Sequence, residues 1–231
     1  RRMSGAPFAV PVLGTAPVFP DPGAGRHPDG LIAVGGDLTR ERLLAGYREG
    51  IFPWYEPGGP ILWWSPDPRA VLIPDAVHVP RRLERTLRQG RFEVTLDRDF
   101  DAVIRACAET RQYAEGTWIT DEMQAAYADL HRYGYAHSLE VRLDGELVGG
   151  VYGVALGRVF FAESKFHHAR DASKVALIEL MRRLDEAGFL FCDCQLWNPH
   201  LEQFNLRLID RPDFLRLVRH GTREPAAHLV D

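Results

Sequence analysis

The chain has few cysteines, and their spacing excludes two classes of protein. Among 231 residues there are three, Cys107, Cys192 and Cys194. An odd, sparse set does not fit a disulfide scaffold and is typical of a reducing compartment. Cys192 and Cys194 are two residues apart and would share one face of a strand. The chain has no second cysteine pair nearby, so the spacing argues against a zinc site.

The chain also lacks a basic excess and a long apolar run. Its formal net charge is −4, so any binding of nucleic acid has to use a local patch. No uninterrupted apolar run approaches the roughly 20 residues that a membrane-spanning helix needs. Proline and glycine interrupt residues 1–14, where a signal peptide would require an apolar core. These absences predict a cytoplasmic protein. A monomer is expected, because the sequence shows no obvious pattern of a subunit interface.

The first third of the chain is rich in proline and glycine. Residues 1–30 are expected to be largely irregular. A helix should begin after Thr39, which is a suitable N-cap, and end near Gly50. The following segment, 51–70, combines prolines with three tryptophans, so it should form packed loops instead of a helix. We place a domain boundary there, which divides the chain into a small N-terminal domain, 1–69, and a larger domain, 70–231.

The larger domain begins with segments that have helical periodicity. Residues 79–92, "VPRRLERTLRQGRF", place four arginines on one broad helical face, opposite two leucines. That pattern is typical either of a solvated amphipathic helix or of a surface that contacts phosphates. Two further helices are predicted at 99–109 and 120–133, the second capped by Thr120 and ended by Gly134.

The pattern then changes to strands. Two runs of apolar residues flank Asp144-Gly145, a strong signal for a type I′ hairpin, and a third strand follows the turn at Gly157. A helix at 172–187 and a buried strand at 189–195 complete the series. The order of three strands, a helix and a returning strand predicts an α/β (α+β) fold like that of GNAT-type acyltransferases.

The third strand carries two charges in an apolar setting. If residues 159–165 alternate regularly, Phe161, Glu163 and Lys165 share one side, and the two charges lie roughly 7 Å apart. Burying either charge without a partner is costly. The pair is therefore solvated, or that face of the strand meets something polar.

Several segments together resemble one family. They include "GGDL", "GIFPW", "WWSPDPRAVL", "GTWIT", "AYADLHRYGYAHSLEV", "LVGGVYGVALGRVFF" and "DCQ". At this spacing they are similar to the leucyl/phenylalanyl-tRNA–protein transferases over roughly residues 19–212. The resemblance implies transfer of Leu or Phe from charged tRNA to a protein with N-terminal Arg or Lys, which marks that protein for N-degron degradation. It implies a small N-terminal domain, a GNAT-like domain, and neither CoA nor a metal.

The resemblance also implies roles for particular residues. In "DCQ", Asp193 and Gln195 form the catalytic pair, which regular alternation would place on one face. The alternatives are that Asp193 only anchors a loop, or that the ribose of the tRNA moves the proton and both residues only position substrate. Glu163 binds the cationic end of the acceptor. The remaining assignments are a donor side-chain pocket of Val151, Phe160 and Lys165, stacking of the tRNA 3′ end on Tyr47, Trp54, Trp118 and Tyr127, and phosphate contacts from Arg81, Arg82, Arg85 and Arg88. Each of those four aromatic residues is also typical of a packed core.

Lys165 is the main departure from the family pattern, which usually has Met there. Lys165 has three possible roles: it lays its methylenes on the pocket and extends its ammonium to Glu163 or water, it neutralises Glu163, or it changes the donor to a polar or acidic aminoacyl group. Gln203 and Phe204 are larger than usual and are expected to reshape the rim of the site.

Two rival functions also come from the sequence. An acetyl-CoA-dependent enzyme needs a glycine-rich turn before the central helix, and "HHARDASK" (residues 167–174) has no glycine. The altered pocket also fits a protein that binds aminoacyl-tRNA or N-degrons without catalysis.

Overall fold

The computed structural model describes residues 9–25, 27–112 and 118–230. Within these ranges the N-terminal part contains a four-stranded sheet of β1 (Val12–Leu13), β2 (Leu31–Gly35), β3 (Phe52–Pro53) and β4 (Leu62–Trp64), in the order β1-β2-β4-β3. Helix α1 (Arg40–Arg48) begins as predicted at Thr39, whose hydroxyl accepts a hydrogen bond from the amide of Arg42. Gly50, which follows α1, adopts the left-handed conformation that ends the helix.

The rest of the chain is built on a larger sheet. In the described residues it has seven strands in the order β11-β5-β10-β9-β8-β7-β6. They are β5 (Arg69–Leu72), β6 (Glu93–Leu96), β7 (Ala136–Leu143), β8 (Glu146–Leu156), β9 (Val159–His167), β10 (Phe191–Asp193) and β11 (Arg207–Ile209). The helices are α2 (Arg81–Arg88), α3 (Phe100–Gln112), α4 (Asp121–Arg132), α5 (Ala172–Glu186), α6 (Pro199–Glu202) and α7 (Arg211–Gly221).

The centre of this sheet has the predicted topology. Strands β7, β8 and β9 are antiparallel, α5 crosses over, and β10 returns parallel to β9. Asp144 and Gly145 both have positive φ, as a type I′ turn requires. The mixed α/β fold with a GNAT-like core is therefore confirmed. Strands β5, β6 and β11 were not predicted, because they are short and pair with distant segments.

Both faces of the large sheet are covered. One face packs against α3, α4 and the four-stranded sheet in a single apolar cluster that includes Trp63, Tyr127 and Phe161. The other face packs against α5 and α2. The predicted division at residue 69 stays a prediction, since the first cluster is continuous across that position. In the described part of the chain every helix is too short to cross a bilayer.

Candidate active site

Two neighbouring cavities lie at the end of strand β10. The larger has a volume of about 840 Å³, and half of the residues in its wall are tryptophan or proline. The smaller has a volume of about 280 Å³ and lies against α5. Four residues line both cavities: Glu163, Gln195, Leu196 and Trp197. Glu163 and Gln195 are thus the polar side chains in the wall that the cavities share.

A β-bulge in β9 aims Glu163 at this wall. Ser164 pairs with Tyr152 and Ala162 pairs with Gly153, so Glu163 is the extra residue with no cross-strand partner. A bulge interrupts the alternation of side chains, and the expectation that Glu163 and Lys165 share a side is therefore wrong. Glu163 contacts Tyr47, which belongs to the apolar cluster of Trp63, Tyr127 and Phe161 on one face of the sheet. Lys165 lines the small cavity on the other face, the side of α5.

The Glu163 carboxylate accepts hydrogen bonds from two side chains. The hydroxyl of Tyr47 donates to Oε1 at 2.5 Å, and Nε2 of Gln195 donates to the same oxygen at 3.3 Å. Tyr47 uses its proton there, so the hydroxyl of Tyr127, 2.5 Å away, donates to Tyr47. Oε2 is buried and has no hydrogen-bond partner among the described residues. One carboxylate oxygen is therefore left to receive a substrate donor.

Burial sets the protonation of this cluster. It raises the pKa of Glu163 to about 7, and the charge of Asp193 adds to the rise, whereas the hydrogen bond from Tyr47 opposes it. Burial, followed by the charge of Glu163, also raises the pKa of both tyrosines well above the usual value, so they stay neutral donors. Glu163 consequently changes charge near neutral pH.

Asp193 lies behind the wall and lines neither cavity. The guanidinium of Arg69 donates to its two oxygens at 2.9 and 2.8 Å, and the amide of Gln195 donates to Oδ1 at 2.9 Å. Strand β10 ends at Asp193, and Gln195 has a φ of +66°, so the two side chains do not share a strand face as alternation predicted. The direct catalytic role of Asp193 stays a prediction that this burial argues against.

Arg69 is itself enclosed. Its guanidinium lies over the rings of Phe52 and Phe214, with centroid distances of 4.9 and 4.4 Å, and its side chain is buried. A buried bidentate ion pair of this kind fixes the orientation of its carboxylate. The pair therefore fixes the backbone of Gln195 at the wall.

The four aromatic residues assigned to the tRNA 3′ end fall into two groups. Trp54, which is 46% exposed, and Trp118 line the large cavity. Tyr47 and Tyr127 are buried and line neither cavity, so no open ring face is left for a base; they hold Glu163 instead. Stacking stays a prediction for the tryptophans. Trp64, which the assignment missed, also lines this cavity.

Two of the three residues assigned to the donor side-chain pocket line the small cavity. Val151 and Lys165 line the cavity, whereas Phe160 is buried beside it in the core. The sequence reasoning missed Leu177 and Leu201, which supply apolar surface from α5 and α6. Ser164, Asn198 and Cys194 also line the cavity, so its wall is of mixed polarity.

Two further groups lie away from both cavities. The arginines of α2 are exposed, and Arg88 also pairs with Glu84, so phosphate contact by them stays a prediction. Gln203 and Phe204 were expected to reshape the rim, but Phe204 is buried in the core and neither residue lines either cavity. Asn205, the next residue, has a φ of +67°, a left-handed conformation that asparagine adopts more readily than most residues. Gly116 and Thr117 of the "GTWIT" segment lie outside the described residues.

Comparison with known proteins places this site in context. The sequence profile described as leucyl/phenylalanyl-tRNA protein transferase matches residues 71–219, and the profile of its N-terminal domain matches residues 36–67. The leucyl/phenylalanyl-tRNA–protein transferase of Pseudomonas entomophila (strain L48) is 57% identical over 204 residues, which cover 88% of this chain and 90% of the relative. That of Pseudomonas putida (strain W619) is 56% identical over 200 residues, covering 87% and 88%.

Similarity to solved structures is weaker. L-PGS from Bacillus licheniformis matches with a TM-score of 0.41 and 10% identity, covering 74% of this chain and 56% of that one. A ribosomal-protein-alanine N-acetyltransferase from Brucella melitensis biovar Abortus 2308 matches with a TM-score of 0.32 and 21% identity, covering 41% and 72%.

Proposed function

The chain belongs to the leucyl/phenylalanyl-tRNA–protein transferase family, and from this premise we propose that its two substrates meet at the wall formed by Glu163 and Gln195. The protein is an aminoacyltransferase that moves Leu or Phe from charged tRNA to the N-terminus of a protein. We further propose that its acceptors begin with Arg or Lys, that the products enter N-degron degradation, and that the enzyme works as a monomer. The observation that carries the proposal is that these two polar residues line both cavities.

The reaction is an aminolysis of an ester. The α-amino nitrogen of the acceptor attacks the carbonyl carbon of the aminoacyl ester, a C–N bond forms, and the C–O bond to the ribose of the tRNA breaks. One proton leaves the amine and one reaches the ribose oxygen. Gln195 donates from Nε2 to Glu163, which leaves its carbonyl oxygen to accept from the attacking amine. Positioning of the two reactants in neighbouring cavities supplies the proximity that this bimolecular step needs.

Glu163 is proposed to bind the cationic side chain of the acceptor. Its Oε2 is buried and has no hydrogen-bond partner within the described ranges, and an Arg or Lys donor would satisfy that oxygen and stabilise the ionised form. Tyr47 and Tyr127 orient the carboxylate from behind. The same arrangement would exclude an acidic first residue, because two carboxylates at this depth repel.

The small cavity is proposed to hold the donor side chain. Val151 and Leu177 provide apolar surface for Leu or Phe, and Lys165 lies in the same wall. A second candidate function follows from this lysine: the same transfer with a polar or acidic donor. Ser164 and Asn198 also line this cavity, and their polar groups favour a polar donor side chain in addition to the lysine.

The large cavity is proposed to hold the 3′-terminal adenosine. Trp54 and Trp118 offer aromatic surface at its wall, and stacking on such rings tolerates any tRNA that ends in the same nucleotide. The arginines of α2 are proposed to contact the tRNA backbone electrostatically, which reads charge and shape without reading sequence. Asp193 and Arg69 are proposed to position Gln195 from behind the wall.

The test is a transfer reaction with a mixture of charged tRNAs and a peptide that begins with Arg. The peptide mass is read after incubation. A gain of one Leu or Phe residue supports the proposed function, and a gain of another aminoacyl mass supports the second candidate. If binding of charged tRNA is measured but no donor adds mass, the chain is a non-catalytic binder and the proposal fails.

A further inference from the structure

The strand β11 forms an open edge beside the reaction cavity. It is the last strand of the seven-stranded sheet as far as the structure describes the chain, with β5 as its neighbour. Its central residue, Leu208, is 53% exposed and lines the large cavity together with Gln195. An exposed strand edge presents backbone donors and acceptors that another polypeptide is able to pair with.

The backbone of Leu208 points toward that open edge. Leu208 lies opposite Ala70 of β5. The amide of Ala70 donates to the carbonyl of Gln195 at 3.3 Å, and its carbonyl accepts from the amide of Cys194 at 2.8 Å, so both groups face β10. In an antiparallel ladder this makes Ala70 and Leu208 a pair without mutual hydrogen bonds. The N–H and C=O of Leu208 therefore point away from the sheet.

The edge lies within reach of the reacting amine. Gln195, Ala70 and Leu208 lie in one row across the sheet, so Leu208 is two strand spacings, about 10 Å, from Gln195. An extended chain covers that distance in about three residues. The rim between them is apolar, since Leu196, Trp197 and Leu208 are all more than half exposed.

We propose that the acceptor polypeptide docks as an extra strand on the outer edge of β11, pairing with the N–H and C=O of Leu208. This rests on the proposed function, because it requires the acceptor N-terminus to lie at Glu163 and Gln195. Pairing through the main chain recognises an extended N-terminal segment of any sequence. Leu196, Trp197 and Leu208 carry no charge, and the exposed charged side chains that line the same cavity, Asp29 and Asp67, are acidic. This surface therefore favours a polypeptide over the phosphate backbone of tRNA as the occupant, and its apolar part favours apolar acceptor side chains just after the first residue. Arg207 is the neighbouring charge, and its side chain alternates to the opposite side of the strand.

The first experiment removes single backbone donors from the acceptor. Arg-initiated peptides that carry one N-methyl group at residue 2, 3 or 4 are compared with the unmodified peptide and with one methylated at residue 8. We expect one position among residues 2–4 to raise the KM for peptide by about 5- to 10-fold, the size of one lost hydrogen bond, and residue 8 to have no effect. Equal KM values for all five peptides would overturn the proposal.

The second experiment removes the matching donor from the enzyme. Leu208→Pro lacks the outward N–H, which the sheet itself does not use, and Leu208→Ala removes the side chain alone. We expect the KM for peptide to be about 5- to 10-fold higher in Leu208→Pro than in Leu208→Ala, and the KM for aminoacyl-tRNA to be the same in the two variants, because both lack the leucine side chain that lines the large cavity. Leu217→Ala, which alters an exposed leucine of α7, is the control.

The outcomes separate this inference from the function on which it rests. Equal KM values for peptide in the two Leu208 variants, or a KM for aminoacyl-tRNA that rises in Leu208→Pro beyond its value in Leu208→Ala, would refute docking on β11. If Leu208→Pro does not fold, the methylation series decides alone. Absence of Leu or Phe transfer by the unmodified enzyme would instead refute the proposed function.

Discussion

The free energy of unfolding should depend on pH because of Glu163, and the substitution Glu163→Gln should remove that dependence. Burial raises the pKa of this carboxyl from 4.5 to about 7, so the folded protein binds its proton more tightly than the unfolded chain does. The stabilisation from protonated Glu163 is therefore fully present below pH 4.5 and is lost as the pH rises through 7. The full difference corresponds to about 3 kcal/mol, and about 2.5 kcal/mol of it is lost between pH 5 and pH 8.

The substitution that tests this is Glu163→Gln, which has the shape of the neutral acid. The free energy of unfolding of both proteins is measured by urea denaturation at pH 5 and pH 8. We expect the free energy of unfolding of Glu163→Gln, relative to that of the parent protein, to be about 2.5 kcal/mol higher at pH 8 than at pH 5. Glu186 is exposed, so Glu186→Gln is the matched control. Its free energy of unfolding relative to the parent protein should change by less than about 0.5 kcal/mol between pH 5 and pH 8. A pH-independent difference for Glu163→Gln would refute the burial argument.

Three further predictions concern other parts of the site. Lys165→Met should raise kcat/KM for leucyl transfer, because it removes an ammonium from the cavity assigned to an apolar side chain; unchanged or lower transfer would count against that placement. Asp193→Asn should lower the free energy of unfolding by about 3–5 kcal/mol, because it leaves the charge of Arg69 buried without its carboxylate, and a loss under 1 kcal/mol in denaturation would contradict the pairing. Arg85→Glu should raise the KM for aminoacyl-tRNA and flatten its salt dependence, whereas Arg223→Glu, an exposed control, should change neither; equal effects would exclude α2 from tRNA contact.

The centre of the fold could be predicted because its signals are local. The Asp144-Gly145 turn fixes the pairing of β7 with β8, and the helical period of 172–186 marks the crossover to β10. The edge strands β5, β6 and β11 could not be predicted in the same way. Each has three or four residues, and its partner lies far along the chain, so neither periodicity nor a turn residue marks it.

The site was predicted in its membership better than in its geometry. Family motifs identified Glu163 and Gln195, but regular alternation placed Lys165 on the same side as Glu163, which is wrong because of the bulge, and the bulge depends on how β8 pairs with β9. Tyr47 and Tyr127 were assigned to base stacking, but they lie behind Glu163. That position depends on the contact of Tyr47 with Glu163, 116 residues apart in sequence, and on the contact of Tyr47 with Tyr127, 80 residues apart. Tertiary contacts of this range leave no trace in the local pattern.

The central claim is that the carboxylate of Glu163 receives the positive charge of the acceptor at the wall between the cavities. Its most direct test compares transfer to a peptide that begins with Arg and to one that begins with citrulline, which has nearly the same shape and no charge. We expect the parent enzyme to have a kcat/KM at pH 8 at least about 10-fold higher for the Arg peptide, and Glu163→Gln to have nearly equal values for both peptides. An Arg preference that survives in Glu163→Gln would contradict it.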